Sequence, residues 1–270
     1  MSARVAWIHV APVKSLQIHS RERVMLALRG VEDDRRFCLV DAAGRMLNAK
    51  RVAAFVTVRP EVHGDHLTLR MPEGRHVTSE IVLGDALVVS LYHRHAQAHE
   101  LQGPFTAALS ALAASPVRLV RFDEPGEGAD RKDWNGATGW TGAASLLSTA
   151  SLDELARVAG ASGPVDPRRF RMLFGVTGVS AHAEDEWIGS PVRIGEAVIV
   201  PLGNIGRCVV TTLHPEKAVS DLDTLEALGL YRGTVDSTER LPFGVYARVE
   251  QPGIVSVGDE VVATPARDPQ

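Results

Sequence analysis

The chain has 270 residues, a net charge of −4, 45% hydrophobic and 23% charged residues, which allows one large domain or two small ones with a sizeable core. The mild acidity gives no bulk electrostatic case for nucleic acid or an anionic membrane. Two cysteines make no disulfide framework, and without a signal peptide or apolar span at residues 1–9 the expectation is a soluble, cytoplasmic protein.

Short β-rich runs dominate the first half, at residues 5–10, 24–28, 37–40, 67–71 and 87–92. Turn-like separators such as Asp41-Ala42-Ala43-Gly44 and Pro72-Glu73-Gly74 divide them. This spacing predicts an antiparallel sheet or barrel. A helix is predicted over 105–113 and a strand over 117–122. A long polar, Gly-containing stretch, 123–136, follows, with Trp134 and Trp140 in unusual company. It reads equally as a surface loop or as a lid facing substrate. Ser151 and Glu154 have capping-box spacing and predict a helix that ends near Gly160. A strand is predicted over 172–176. Ser220-Asp221-Leu222-Asp223 predicts the start of another helix, with Leu222, Leu225 and Leu228 on one face and Gly229 as its stop. Strands return at 243–249, 254–257 and 261–263. With few, amphipathic helices, the fold class expected is α+β with a β-barrel core.

Cys208 is the residue that carries most chemistry. Apolar, β-branched runs flank Pro201-Leu202-Gly203-Asn204-Ile205-Gly206-Arg207, so Cys208 is expected where a loop re-enters a strand. Gly206 is expected to let the backbone approach a ligand. Arg207 sets a positive charge beside the thiol, which favours thiolate, the form that binds soft metals.

Lys14, Ser15 and Arg35 lie at strand–loop junctions, and Arg171 at the start of a predicted strand. Together they suggest an anionic small ligand. His93 and His95 share a strand face, with His99 nearby, but no carboxylate or cysteine at convincing spacing completes a zinc site. Glu184-Asp185-Glu186-Trp187 offers carboxylates for glycoside-type chemistry, although a structural turn is the better reading. No nucleophile elbow, Walker loop or dinucleotide fingerprint is present.

In order and spacing, several segments resemble the MOSC family, named for the C-terminal domain of molybdenum cofactor sulfurase. They are Pro12-Val13-Lys14-Ser15, Gly30 with Asp34-Arg35, Leu147 to Leu152, Phe170-Arg171, Glu184-Asp185 with Trp187, Ile194-Gly195, Arg207-Cys208 with Thr211-Thr212, Phe243-Gly244 with Tyr246, and Pro252-Gly253 with Val257-Gly258-Asp259. The nearer resemblance is to members with an N-terminal β-rich subdomain, including amidoxime-reducing components. It implies a β-rich subdomain over 1–122 and a MOSC domain over 123–270. It also implies a bound molybdenum cofactor (Mo-molybdopterin), with Cys208 as thiolate ligand to the metal and Tyr246 near it. Lys14, Ser15, Arg35, Arg171 and Arg207, with Thr141 and Gly142, would hold the phosphate and pterin.

The chain departs from the family pattern at Ala11, where many relatives have Tyr, and at Met172-Leu173, where many have Pro-Asn. No cysteine follows Cys208, so electrons are expected from a separate ferredoxin- or cytochrome-like donor. The implied activity is reduction of N-hydroxylated small molecules. Two competing readings are a cofactor carrier or persulfide-transfer module, and a non-catalytic small-molecule-binding protein.

Overall fold

A computed structural model describes residues 2–92, 94–124 and 142–264. His93, Trp134, Trp140 and Thr141, and most of the polar stretch singled out above, lie outside the described residues.

The largest sheet has eight strands, in the order Val261–Ala263, Val192–Ile194, Ala197–Gly206, Pro242–Gln251, Ala144–Ser148, Phe174–Thr177, Arg4–Val10 and His19–Arg21. Neighbours run antiparallel except Ala144–Ser148 and Phe174–Thr177, which pair in parallel with Leu146 opposite Phe174. A parallel pair needs a crossover, and a helix, Thr149–Val158, lies in that connection. Inward-facing β-branched and aromatic residues fill the sheet's concave side, among them Ile8, Phe174, Val176, Ile194, Ile199 and Val245.

The sheet curls until its Val261–Ala263 end reaches the Arg4–Val10 strand. The Val5 amide donates to Asp259 O at 2.9 Å and the Val261 amide to Ala3 O at 2.9 Å, around an isolated bridge between Arg4 and Glu260. No sheet among the described residues closes into a barrel by continuous strand pairing, which corrects that part of the expectation. The reason is local: His19–Arg21 pairs with Ile8–Val10, so only the first residues of that strand edge remain for the C-terminal strand. The α+β class stands, with strands dominant and three α-helices among the described residues.

Two other sheets occupy the first half of the chain. One orders Met46–Leu47, Phe37–Val40, Arg118–Phe122, Arg94–Leu101 and Leu83–Leu91; the other orders Arg59–His63, His66–Arg70 and His76–Glu80. They enclose a second core around Phe37, Leu39, Phe55, Leu67 and Phe105. Arg23–Leu26 instead pairs with Gly253–Ser256 near the C-terminus. Sequence-distant segments therefore meet repeatedly, and the junction between the two cores is where the cavity described below opens.

The helix α1 spans Phe105–Ala113 as expected. The helix α2 spans Thr149–Val158, and its N-cap is Ser148, whose Oγ accepts the Ser151 amide at 3.1 Å. The predicted cap, Ser151, is therefore inside the first turn. Two serines three residues apart both suit a cap, and the strand that ends at Ser148 selects the earlier one. Glu154 does not reach back; it pairs with Arg157 at 2.6 Å. The helix α3 spans Thr224–Arg232, capped by Asp223, whose Oδ1 accepts the Glu226 amide at 3.0 Å. Gly229 does not stop it. The helix continues to Arg232, which is 6% exposed and donates to Pro242 O at 3.0 Å, and that anchorage outweighs one interior glycine.

His9 and His19 are buried, and burial pulls each imidazole down to about 4. Both are neutral when folded and take up protons when unfolded. Above about pH 6.5 neither form binds them, so stability is full there; as pH falls from 6.5 towards 4 the unfolded chain gains protons and stability is lost. Each site contributes up to about 3 kcal/mol of this loss. His9 stacks on Trp7 with ring centroids 4.3 Å apart, so His9→Phe keeps the stack. Its melting temperature is expected to fall less between pH 7 and 5 than that of the wild type; parallel curves would refute the assignment.

Candidate functional site

A cavity of about 380 Å³ opens between the two cores. Its deep wall is built first by backbone. The Lys14 amide donates to Phe37 O at 2.8 Å and the Arg35 amide to Ala11 O at 2.6 Å. Asp34 Oδ1 accepts the Ala11 amide at 2.8 Å. These bonds fix the turns after the first strand and before the Phe37 strand against each other. Arg35 pairs with Asp34 and donates to Arg171 O at 2.9 Å, while Arg171 donates to Leu16 O at 2.7 Å. Three separate segments thus form one cationic collar. Lys14 and Ser15 are each only 7% exposed within it.

Four non-glycine residues of the cavity wall have left-handed backbones: Ser15 (φ 78°), Arg35 (φ 54°), Tyr92 (φ 54°) and Arg171 (φ 55°). Such conformations cost energy and persist where surrounding structure imposes them, commonly at functional sites. Arg171 does not begin a strand as expected. It ends the 3-10 turn Pro167–Phe170, and the strand starts at Phe174. The turn is what aims its side chain back across the collar.

Cys208 lies in the wall, half-buried. It is not where a loop re-enters a strand. Residues 197–206, taken for a strand and a loop, form one bulged strand, and Cys208 caps the 3-10 turn Val209–Thr212. Irregular pairing with Pro242–Gln251 absorbs the Gly and Pro that looked like loop residues. The Cys208 carbonyl accepts both the amide and the hydroxyl of Thr211 at 3.0 Å, which holds the thiol's backbone without using the sulfur.

Gly206 lines the cavity and also makes room for a neighbouring segment. A Cβ there would stand 2.6 Å from a Glu239 carboxylate oxygen and 3.0 Å from Arg240 O, so the glycine admits the 239–240 segment. Arg207 lines the cavity as well. Its guanidinium turns inward: Nη1 donates to Phe170 O at 2.9 Å, Nε to Phe243 O at 2.8 Å, and Nη2 points at Met172 Sδ at 2.9 Å. The ring of Phe170 lies 5.3 Å away. Burial pulls the guanidinium down to about 9, opposed by Cys208 and then Glu184, so it stays cationic at neutral pH. Its donors are committed to the protein, although the side chain contributes to the wall.

Tyr246, 7% exposed, also lines the cavity. Burial raises its phenol, so it stays protonated. Gly142 lines the cavity as well. Met172 takes a wall position, whereas Leu173 is 2% exposed in the barrel-like core.

The other sequence candidates lie elsewhere. His95 is exposed on its strand, and His99 bonds Asp123 at 2.8 Å. No group of three His, Cys, Asp or Glu able to hold a metal occurs among the described residues. Glu184 and Asp185 sit on the 3-10 turn Ala183–Trp187 and diverge. Glu184 is 1% exposed and accepts the Ser148 amide at 3.2 Å and Ser151 Oγ at 3.0 Å; burial raises its carboxyl. Asp185 accepts Asn204 Nδ2 at 2.6 Å and pairs with Arg232. Ser151 and His182 approach to 3.3 Å beside Glu184, resembling a hydrolytic triad. Ser151 is fully buried, so no substrate reaches it.

Sequence reasoning missed Asn48, Lys50, Tyr92, Arg94, Arg169 and Glu239, all of which line the cavity. No local motif marks them; only tertiary pairing brings them there. Among the described residues, the wall carries Lys14, Arg35, Lys50, Arg94, Arg169, Arg171 and Arg207 against a single carboxylate, Glu239. Arg169 is anchored by Asp221 at 2.7 Å and Thr212 O at 3.1 Å. The resulting field suits an anionic ligand, and the half-exposed thiol adds a soft donor beside it.

Comparison with known proteins agrees with this architecture. The family model for the MOSC N-terminal beta barrel domain matches residues 2–106, and that for the MOSC domain matches residues 133–262. Mitochondrial amidoxime-reducing component 1 of Homo sapiens is 29% identical over 284 residues, covering 95% of this chain and 82% of that protein. Mitochondrial amidoxime reducing component 2 of Bos taurus is 28% identical over 280 residues, covering 94% and 81%. Molybdenum cofactor sulfurase of Oryza sativa subsp. japonica is 25% identical over 252 residues, covering 83% of this chain and 30% of that protein. With both domain types present in sequence order, this chain belongs to the MOSC family.

Proposed function

We propose that the protein is a molybdenum-cofactor-dependent oxidoreductase that reduces N-hydroxylated small molecules. The observation that carries this reading is one cavity combining the Cys208 thiol with a fixed cationic collar. The donor set fits the cofactor: a thiolate suits the soft metal, and arginine and lysine suit a phosphate monoester. The cavity volume, about 380 Å³, lies in the range of small-ligand sites.

In this reading Lys14, Ser15, Arg35 and Arg171 hold the phosphate and pterin, with Gly142 alongside, and Cys208 ligates the metal. When bound, the cofactor supplies the two-electron chemistry that breaks an N–O bond. Two protons and two electrons convert an amidoxime to an amidine and water. Tyr246, which lines the cavity and keeps its proton, would donate a hydrogen bond to the departing oxygen. Arg207 positions the Cys208 segment rather than touching the cofactor. Electrons come from a separate donor protein. No helix among the described residues is long and apolar enough to cross a membrane.

The test is molybdenum and oxidised pterin per chain, in protein from a host that makes the cofactor, with consumption of an aromatic amidoxime under a chemical reductant. Near-stoichiometric metal and turnover are expected. Absence of both metal and pterin would overturn the reading.

A further inference from the structure

The cavity has a second charged wall, shallower than the collar. Lys14 and Ser15 are 7% exposed, whereas Tyr92 is 59% exposed and Lys50 is exposed. Lys50, Tyr92 and Arg94 therefore stand where a ligand first meets the cavity, and the collar lies deeper.

Backbone pairing holds this wall in place. Asn48 Oδ1 accepts the Lys50 amide at 3.1 Å, and Asn48 O accepts the Arg51 amide at 3.0 Å. This is an Asx turn, which sets the direction of Lys50. Tyr92 occupies the tip between Leu91 and Arg94, which face each other in register. Its left-handed backbone, φ 54°, is uncommon for an aromatic residue. The two segments are joined by a bridge between Arg45 and Ser90, and the Ser90 amide donates to Gly44 O at 2.9 Å. A Cβ on Gly44 would meet Val88 O at 3.0 Å with φ at +75°, so this glycine permits the approach.

The charge of the lining points the same way. Among the described residues the wall carries seven cations and one carboxylate, Glu239, and two of those cations, Lys50 and Arg94, stand with Tyr92 at the rim.

We propose that Lys50, Tyr92 and Arg94 form an outer subsite that selects planar substrates bearing an anionic group, with the ring against Tyr92 and the anion against the two cations. This rests on the reductase reading above, because it names the substrate class of that site.

The test compares benzamidoxime with 4-carboxybenzamidoxime on cofactor-loaded protein, by calorimetric binding and by kcat/KM. Wild type is expected to favour the carboxylated compound in both. In Lys50→Gln/Arg94→Gln the selectivity ratio should fall about tenfold, and added salt should erode the wild-type preference. Tyr92→Asn, which tolerates the left-handed backbone, should weaken both compounds alike. Equal wild-type affinities, or an undiminished ratio in the double variant, would overturn the subsite. Retained binding selectivity without turnover of either compound would instead sink the reductase reading and leave the subsite standing.

Discussion

Cys208→Ser is expected to lower molybdenum per chain to below about a tenth of the wild-type value and amidoxime reduction at least about 100-fold, or roughly 2.7 kcal/mol in barrier. The backbone at 208 is held through its carbonyl by Thr211, and the sulfur is half-buried in the cavity wall. Serine therefore fits the same conformation, and the melting temperature should stay within about 2 °C, as for a substitution that removes no packing or cap. Oxygen is a poor substitute for sulfur at a soft centre. Pterin should be retained better than metal, because the collar of Lys14, Arg35 and Arg171 is untouched. Equal metal content in wild type and variant would refute ligation by Cys208. A labile sulfur on Cys208 in metal-free protein would favour the persulfide-transfer alternative.

How far the sequence reached depends on the range of the interactions involved. Strand positions were legible because alternation and β-branched runs are local: Phe37–Val40 and Val261–Ala263 stand where patterning puts them. The collar was legible through motif order, since Lys14, Ser15, Arg35 and Arg171 each sit beside a strand end or turn. What misled were residues whose usual role was overridden by tertiary context. Gly229 continues a helix because Arg232 is anchored beyond it. Residues 201–206 look like a loop yet pair along Pro242–Gln251 through bulges. Ser148 outcompetes Ser151 as a cap because the preceding strand ends there. The outer wall was illegible altogether. Lys50 and Arg94 are ordinary surface charges until the pairing of Arg45 with Ser90 sets them beside one cavity, and no spacing rule expresses that contact.

Arg207 yields the largest expected effect on stability. Reading it as a cofactor contact predicts that its loss costs pterin and spares the apoprotein. The structure predicts the reverse. Its guanidinium satisfies Phe170 O and Phe243 O and packs against the Phe170 ring. Those carbonyls belong to the turn that delivers Arg171 and to the strand that delivers Tyr246. Arg207→Met fills much of the volume but leaves both carbonyls without their donor in a buried setting, at about 3–5 kcal/mol. At roughly 2–4 °C per kcal/mol for a chain of this size, the apoprotein's melting temperature should fall by about 6–20 °C. Arg207→Lys should recover only a minor part, because one ammonium lacks the planar fork that spans both carbonyls. Thermal and urea unfolding of cofactor-free protein decide the matter. An Arg207→Met apoprotein as stable as wild type, but deficient in pterin, would return Arg207 to the ligand side of the cavity wall.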